Sequence, residues 1–285
     1  MSMTPFVNTE YGKLKKVLLQ PPTYLTIKNP INAIAEKNIR IRDIDKNVAV
    51  LQFEEEFVRA FESYGVEVIE IDPHPELVFA VNTRDLGVTT PKGILFGRFL
   101  KFPRWGEHRL TEDSLLDKQI PIYCKIDKGI FEGGDFVYLD SQTALVGHGC
   151  RTNLLGIKML EFLLHDANLE IIPVDFDERF LHLDMICNVV GEKVAIVCPE
   201  ALPLSIIKLL KDRKFNLITI PMEGVFMHEC NLLSVGNDTI FSHPQALDVN
   251  CKLRSLGFNI EVIEMTELLR CGGGPRCMSF PLERE

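Results

Sequence analysis

The sequence lacks most of the features that would settle its class at a glance. It has no basic surplus: 31 Lys and Arg stand against 40 Asp and Glu, a formal net charge of -9. That disfavours nucleic acid as the main partner, because a chain that neutralises phosphates carries a basic excess or stripe. No apolar run approaches the roughly 20 residues that cross a bilayer. The start, MSMTPFVNTEYGKLKKVLL, has no apolar core of the signal-peptide kind. Eight cysteines in 285 residues fall far below the density of a disulfide-stapled protein. No membrane partner and a cytoplasmic, thiol-reducing setting are the expectations. No GxGxxG follows the first strand-like run, and no CxxC or HxxxH pair joins the scattered cysteines. A dinucleotide fingerprint and a zinc set are therefore both missing. Nor is there a linker or a low-complexity segment, so one catalytic domain over residues 1–285 is expected.

What is present is ordinary enzyme material, 46% hydrophobic and 25% charged, arranged in a recurring phrase. Residues 46–64 space Val48, Leu51, Phe53, Phe57 and Phe61 near helical period, break at Gly65, and pass into the alternating run VEVIEI. The same helix-then-strand phrase returns at residues 154–167 with NLEIIPVDF, at 201–214 with FNLITIPM, and at 245–256 with GFNIEVIEM. The last three copies lie roughly 45 residues apart, and the gap before them is about twice that. Paired β-like stretches fill the intervals, such as GIFEGGDFVYLD with TALVGHG and NLLSVGN with TIFSH. One such unit cannot bury its own apolar faces, so about five ββαβ-type units in a radial array fit better than a doubly wound sheet.

Several short motifs stand out against this background. The end of the chain reads Cys271-Gly-Gly-Gly-Pro-Arg-Cys277-Met-Ser-Phe-Pro-Leu. Three glycines permit close backbone approach to a ligand, and Arg276 beside Cys277 favours the thiolate. An incidental cysteine in a loose tail is the plainer alternative, although the stretch after it is apolar and stiff. In FEGGDF, residues 131–136, two acids flank a glycine pair, as a solvated turn would also do. Leu181-His182-Leu183-Asp184 alternates as a strand does, which puts His182 and Asp184 on one face. Asp85 closes the hydrophobic run ELVFAVNTRD, and Arg104 in FPRWGE and Arg151 in GHGCRTN follow downstream. Each arginine taken alone reads as a surface salt-bridge residue.

Taken in order, TRD, RWGE, EGGD, RTN, HLD and GGGPRCMSFPLERE resemble the guanidino-group-modifying (pentein) superfamily, and the likeness spans residues 13–285. Arginine deiminases, dimethylarginine dimethylaminohydrolases, agmatine deiminases and amidinotransferases make up that group. The terminal GGGPRCMS and NTRD look most like arginine deiminase, whereas the length is similar to the dimethylarginine hydrolases. The resemblance implies a five-bladed α/β-propeller around a central pocket. It implies Cys277 as nucleophile, His182 as acid-base residue and Glu132 as the carboxylate that orients it. It implies Asp85 and Asp184 as a guanidinium clamp, and Arg104 and Arg151 as holders of the substrate's α-carboxylate. No metal and no cofactor are expected. The partner is a small guanidino amino acid, and a homo-oligomer is left open.

These residue types suit the chemistry. A guanidinium carbon is a poor electrophile, which calls for a thiolate. Its charge cannot leave water unpaired, and carboxylates accept its N–H groups in fork geometry. The acid pair favours arginine or an N-methylated arginine over neutral citrulline, and a carboxylate-binding pair of arginines disfavours agmatine. The expected reaction is hydrolysis of a C–N bond through a covalent Cys277 intermediate, giving citrulline and ammonia or an amine. Amidinotransfer is the alternative enzyme reading, and a non-catalytic scaffold is the third. Oxidation joining Cys271 to Cys277 is a further idea that proximity in sequence raises.

Overall fold

Chain ends usually fray, yet here the last strand closes the molecule. In the computed structural model, which describes residues 5–285, Phe280–Arg284 runs antiparallel to Leu14–Leu19, and Glu67–Glu70 adds a parallel third strand. The described residues form four more sheets on the same plan. They are Gly87–Thr90 with Gly93–Phe96 and Ile122–Lys125; Phe136–Asp140 with Thr143–His148 and Glu170–Asp175; Cys187–Gly191 with Val194–Val197 and Asn216–Thr219; and Leu233–Gly236 with Thr239–Ser242 and Asn259–Val262. In each, a tight hairpin supplies the antiparallel pair, and a helix carries the chain back to the parallel edge strand. The architecture is the five-bladed α/β-propeller expected from the repeats.

Burial explains which strands tolerate which residues. Central strands such as Gly93–Phe96 are covered throughout, so they read as continuous apolar runs. Edge strands such as Ile122–Lys125 alternate between exposed and half-buried positions. Helices pack outside the sheets. The helical stretch after the first sheet's central strand runs through Lys46–Leu51, a π-type segment Gln52–Val58 and Arg59–Ser63. It lays Phe53, Phe57 and Phe61 against one another and then against Phe241, at centroid distances of 6.2, 4.9 and 5.0 Å. Leu154–Leu163, Leu204–Asp212 and Leu247–Ser255 lie where their periodicity places them. Glu107–Asp117 supplies the unit that the doubled gap concealed. No helix among the described residues is long and apolar enough to cross a membrane.

Two local expectations change. Thr83–Leu86 and Leu183–Met185 are short 3-10 turns rather than strand, whereas Gly133–Asp135 is the turn its glycine pair suggested, buried instead of solvated. The reason is tertiary: the Asp135 carboxylate accepts the Leu183 N–H at 2.9 Å, and the Cys277 carbonyl accepts the Arg84 N–H at 3.0 Å. Each bond takes a backbone group that a ladder would otherwise use. His182 and Asp184 therefore project from a turn, not from one face of a pleat.

Candidate active site

The turns that precede the first strands of the sheets carry polar side chains into one buried cluster. Asp85 comes from the turn before Gly87–Thr90, Glu132 and Asp135 from that before Phe136–Asp140, and His182 and Asp184 from that before Cys187–Gly191. Asn231 precedes Leu233–Gly236, and Cys277 precedes Phe280–Arg284. All seven side chains belong to buried residues.

His182 is held between two acids. Its Nε2 bonds the Glu132 Oε2 at 2.9 Å, and its Nδ1 lies 3.5 Å from the Asp85 Oδ1. Gly134 makes this possible, since a Cβ there would sit 2.6 Å from the His182 Nδ1 and 3.0 Å from the Asp85 Oδ1. Burial works against protonation of the imidazole, but Asp85, the Glu132 bond and Asp135 outweigh it and raise its pKa to about 9. Burial would likewise raise Glu132, yet the His182 bond and Arg151 draw it down. His182 is thus an imidazolium at neutral pH.

Cys277 stands at the other side of the cluster. Its Sγ lies 3.7 Å from the Asp184 Oδ2, which also receives the Arg276 Nη1 at 2.7 Å. Burial first, then the charges of Asp184 and Asp85, push the thiol pKa well above its ordinary value. The surroundings thus favour a neutral thiol. The Asp85 Oδ1 and the Asp184 Oδ1 are buried and have no hydrogen-bond partner among the described residues. Two orphaned carboxylate oxygens beside one thiol are acceptors prepared for N–H donors.

The arginines are arranged less simply than the resemblance implies. Arg104 gives its Nε and Nη2 to Glu107, at 2.9 and 2.7 Å, its Nη1 to Asp85, and its Nη2 also to the Asn82 carbonyl at 3.0 Å. Its fork is therefore engaged by acids of the protein, where the resemblance implies a hold on the substrate's carboxylate. Arg151 pairs with Glu132 at 3.1 Å and with the Ile31 carbonyl at 2.6 Å, and it borders a cavity of about 260 Å3 with Ile31, Asn32, Leu181 and Gly272. Asp85, Glu132 and His182 each offer a metal-ligating atom within 4.8 Å of the others. An arginine already faces each of those two carboxylates, so their charge is matched without a divalent ion. Cys271 turns its sulfur to Asn82, at 3.8 Å from the Nδ2, and both it and Cys277 are unpaired thiols.

Some functional positions carried no signal in the sequence. Glu10 and Asn231 lie outside every motif singled out, and Asp135 and Glu107 lie within EGGD and RWGE without an assigned role; only the fold joins them to the cluster. One clue was available: Asp85, Asp135, Asp184, Asn231 and Cys277 follow one another at about fifty-residue steps, each at the entry to a repeat unit.

A family model described as "N,N dimethylarginine dimethylhydrolase, eukaryotic" matches residues 21–284. The chain belongs to this family. Within the curated relatives, the Bacillus subtilis protein YkgA is 34% identical over 97% of this chain and 94% of its own. An arginine deiminase of Streptococcus uberis is 25% identical over 85% of this chain and 70% of its own. In fold, the N-terminal domain of ArgZ, an arginine dihydrolase of cyanobacteria, superposes with a TM-score of 0.83 at 22% identity, covering 95% of this chain and 98% of that one. The dimethylarginine dimethylhydrolase family member described here is thus a pentein of the guanidino-modifying superfamily.

Proposed function

We propose that the protein hydrolyses a C–N bond of arginine or an N-methylated arginine through a covalent intermediate on Cys277, giving citrulline and ammonia or an amine. The observation that carries this reading is the pair of partnerless buried oxygens, Asp85 Oδ1 and Asp184 Oδ1, flanking a thiol and an imidazolium. A planar cation with N–H groups on both edges satisfies the two acids together, and a neutral urea leaves their charge uncompensated.

The bound guanidinium offsets the charges that hold the thiol protonated, so Cys277 releases its proton to solvent as substrate enters. The sulfur attacks the guanidinium carbon, forming the C–S bond. The proton on the His182 Nδ1 goes to the departing nitrogen, the C–N bond breaks, and an amidino-thioether is left. The neutral imidazole then takes a proton from water, whose oxygen bonds the same carbon. Collapse returns the C–S electron pair to sulfur, the hydroxyl proton passes to that sulfur as the carbonyl forms, and citrulline leaves. Glu132 keeps the ring oriented throughout. Arg151, which borders the cavity, is the arginine assigned here to the α-carboxylate, exchanging its Ile31 carbonyl bond for it, and Arg104 is assigned to fixing Asp85. No cofactor enters these steps. The whole chain acts as one catalytic unit, since every blade contributes, and a nucleophilic thiol suits a reducing compartment.

A substrate panel decides it. Arginine, monomethyl- and dimethylarginine, agmatine and citrulline are incubated with wild type and Cys277→Ser, and citrulline, ammonia and amines are assayed. Citrulline from an arginine by wild type alone is the expected result. No turnover of any of the arginines contradicts the reading, and a new guanidino compound formed only with added glycine or lysine marks amidinotransfer instead.

A further inference from the structure

Asn231 lies where the other units place Asp85, Asp135 and Asp184, yet it is neither an acid nor a nucleophile. It is 2% exposed. Its Oδ1 accepts two backbone N–H groups, from Gly274 at 3.0 Å and from Cys277 at 3.0 Å. Two donors on one atom settle which end of the carboxamide is oxygen. The other end is necessarily the amide nitrogen, and it donates to the Cys277 Sγ at 3.1 Å.

We propose that Asn231 is a catalytic residue, the hydrogen-bond donor that stabilises Cys277 as a thiolate when it attacks and again when it departs. This rests on the reading of Cys277 as nucleophile. Burial and the neighbouring carboxylates disfavour negative charge on this sulfur; the Arg276 charge opposes them, and the Asn231 N–H is the hydrogen bond aimed at the sulfur itself.

The surroundings hold that amide in place from several sides. The Asn231 N–H donates to the His228 carbonyl at 2.9 Å, and its own carbonyl accepts the Arg276 N–H at 3.3 Å. The carbonyls on either side of it, Cys230 and Leu232, both accept from the Asn188 Nδ2 at 2.7 Å. Asn188 is thereby a positioning residue for Asn231. The glycine run has its explanation here as well: a Cβ on Gly274 would lie 2.8 Å from the Asn231 carbonyl and 3.1 Å from its Oδ1, so only glycine lets this backbone close on the amide.

The test is the pH dependence of Cys277 alkylation by iodoacetamide, read by peptide mass spectrometry on the full chain without substrate. Asn231→Asp keeps the shape and an acceptor for both N–H groups, but turns an anionic oxygen toward the sulfur. The thiol pKa should rise by about one unit or more, slowing alkylation near neutral pH about tenfold. The kcat should fall while KM stays near wild type. Asn231→Ser, which loses the donor without adding charge, should move the profile the same way by less, and it replaces the aspartate variant if that fails to fold by circular dichroism. A folded variant with the wild-type alkylation profile overturns the proposal. Shifted profiles in the variants with no guanidino turnover in wild type would instead count against the functional reading.

Discussion

At the scale of single residues, the decisive feature is how far the environment moves the two proton-transferring groups from their ordinary states. The His182 pKa of about 9 stands above the usual imidazole value. A raised pKa in the folded state means that the ion-pairing of His182 contributes fully to stability below about 6.5 and is lost as pH climbs through about 9. In the proposed mechanism, the acid form that releases the leaving group disappears over the same interval. Asp135, whose own pKa burial lifts to about 7, supplies part of the negative potential on that ring. Asp135→Asn keeps an acceptor for the Leu183 N–H and removes the charge, so the alkaline limb of kcat/KM should move to lower pH. Glu132→Gln, which removes the charge bonded directly to the ring, should move it further. Limbs that coincide with wild type would show that these carboxylates do not set the imidazole's proton affinity.

At the scale of elements, the short turns between blades hold the site together, and their glycines make separate predictions. A Cβ on Gly133 would run into the backbone carbonyls of Gly87 and Arg84, which cannot rotate away. Gly133→Ala should therefore destabilise the protein by about 3 kcal/mol in urea unfolding. A Cβ on Gly134 meets the side chains of His182 and Asp85 instead. Gly134→Ala should lower kcat by about a hundredfold through displaced groups, with a smaller stability loss. The reverse ranking would contradict the packing described. The same elements show what was legible in the sequence. Helices Leu154–Leu163, Leu204–Asp212 and Leu247–Ser255, with the strands after them, carry apolar periodicity and were readable. Glu107–Asp117 was not, because its buried face is Glu107, Thr111 and Leu115, with no apolar stripe. FLHLDM alternates like a strand, and only the distant Asp135 carboxylate makes it a turn. The motif order singled out Cys277, His182, Glu132, Asp85 and Asp184, and the fold gathers these five into one buried cluster. Asn231 was silent because its role depends on an orientation set by two backbone N–H groups.

At the scale of the whole molecule, five repeats with unlike entry residues build one buried polar cluster. The blades supply, in turn, Asp85, then Glu132 with Asp135, then His182 with Asp184, then Asn231, and finally Cys277 from the segment that closes the ring onto Leu14–Leu19. The nucleophile's place thus depends on ring closure, and the backbone bond from Arg84 to the Cys277 carbonyl links the closing segment to the blade of Asp85. The most direct test of this account is an acid quench of the wild-type protein during turnover of arginine, and separately of monomethylarginine, followed by peptide mass spectrometry. Because the nitrogen that differs between them is the one that leaves, both should place the same added mass on the Cys277 peptide, that of arginine less ammonia. Turnover with no modification of that peptide, or with the mass on another residue, would contradict it.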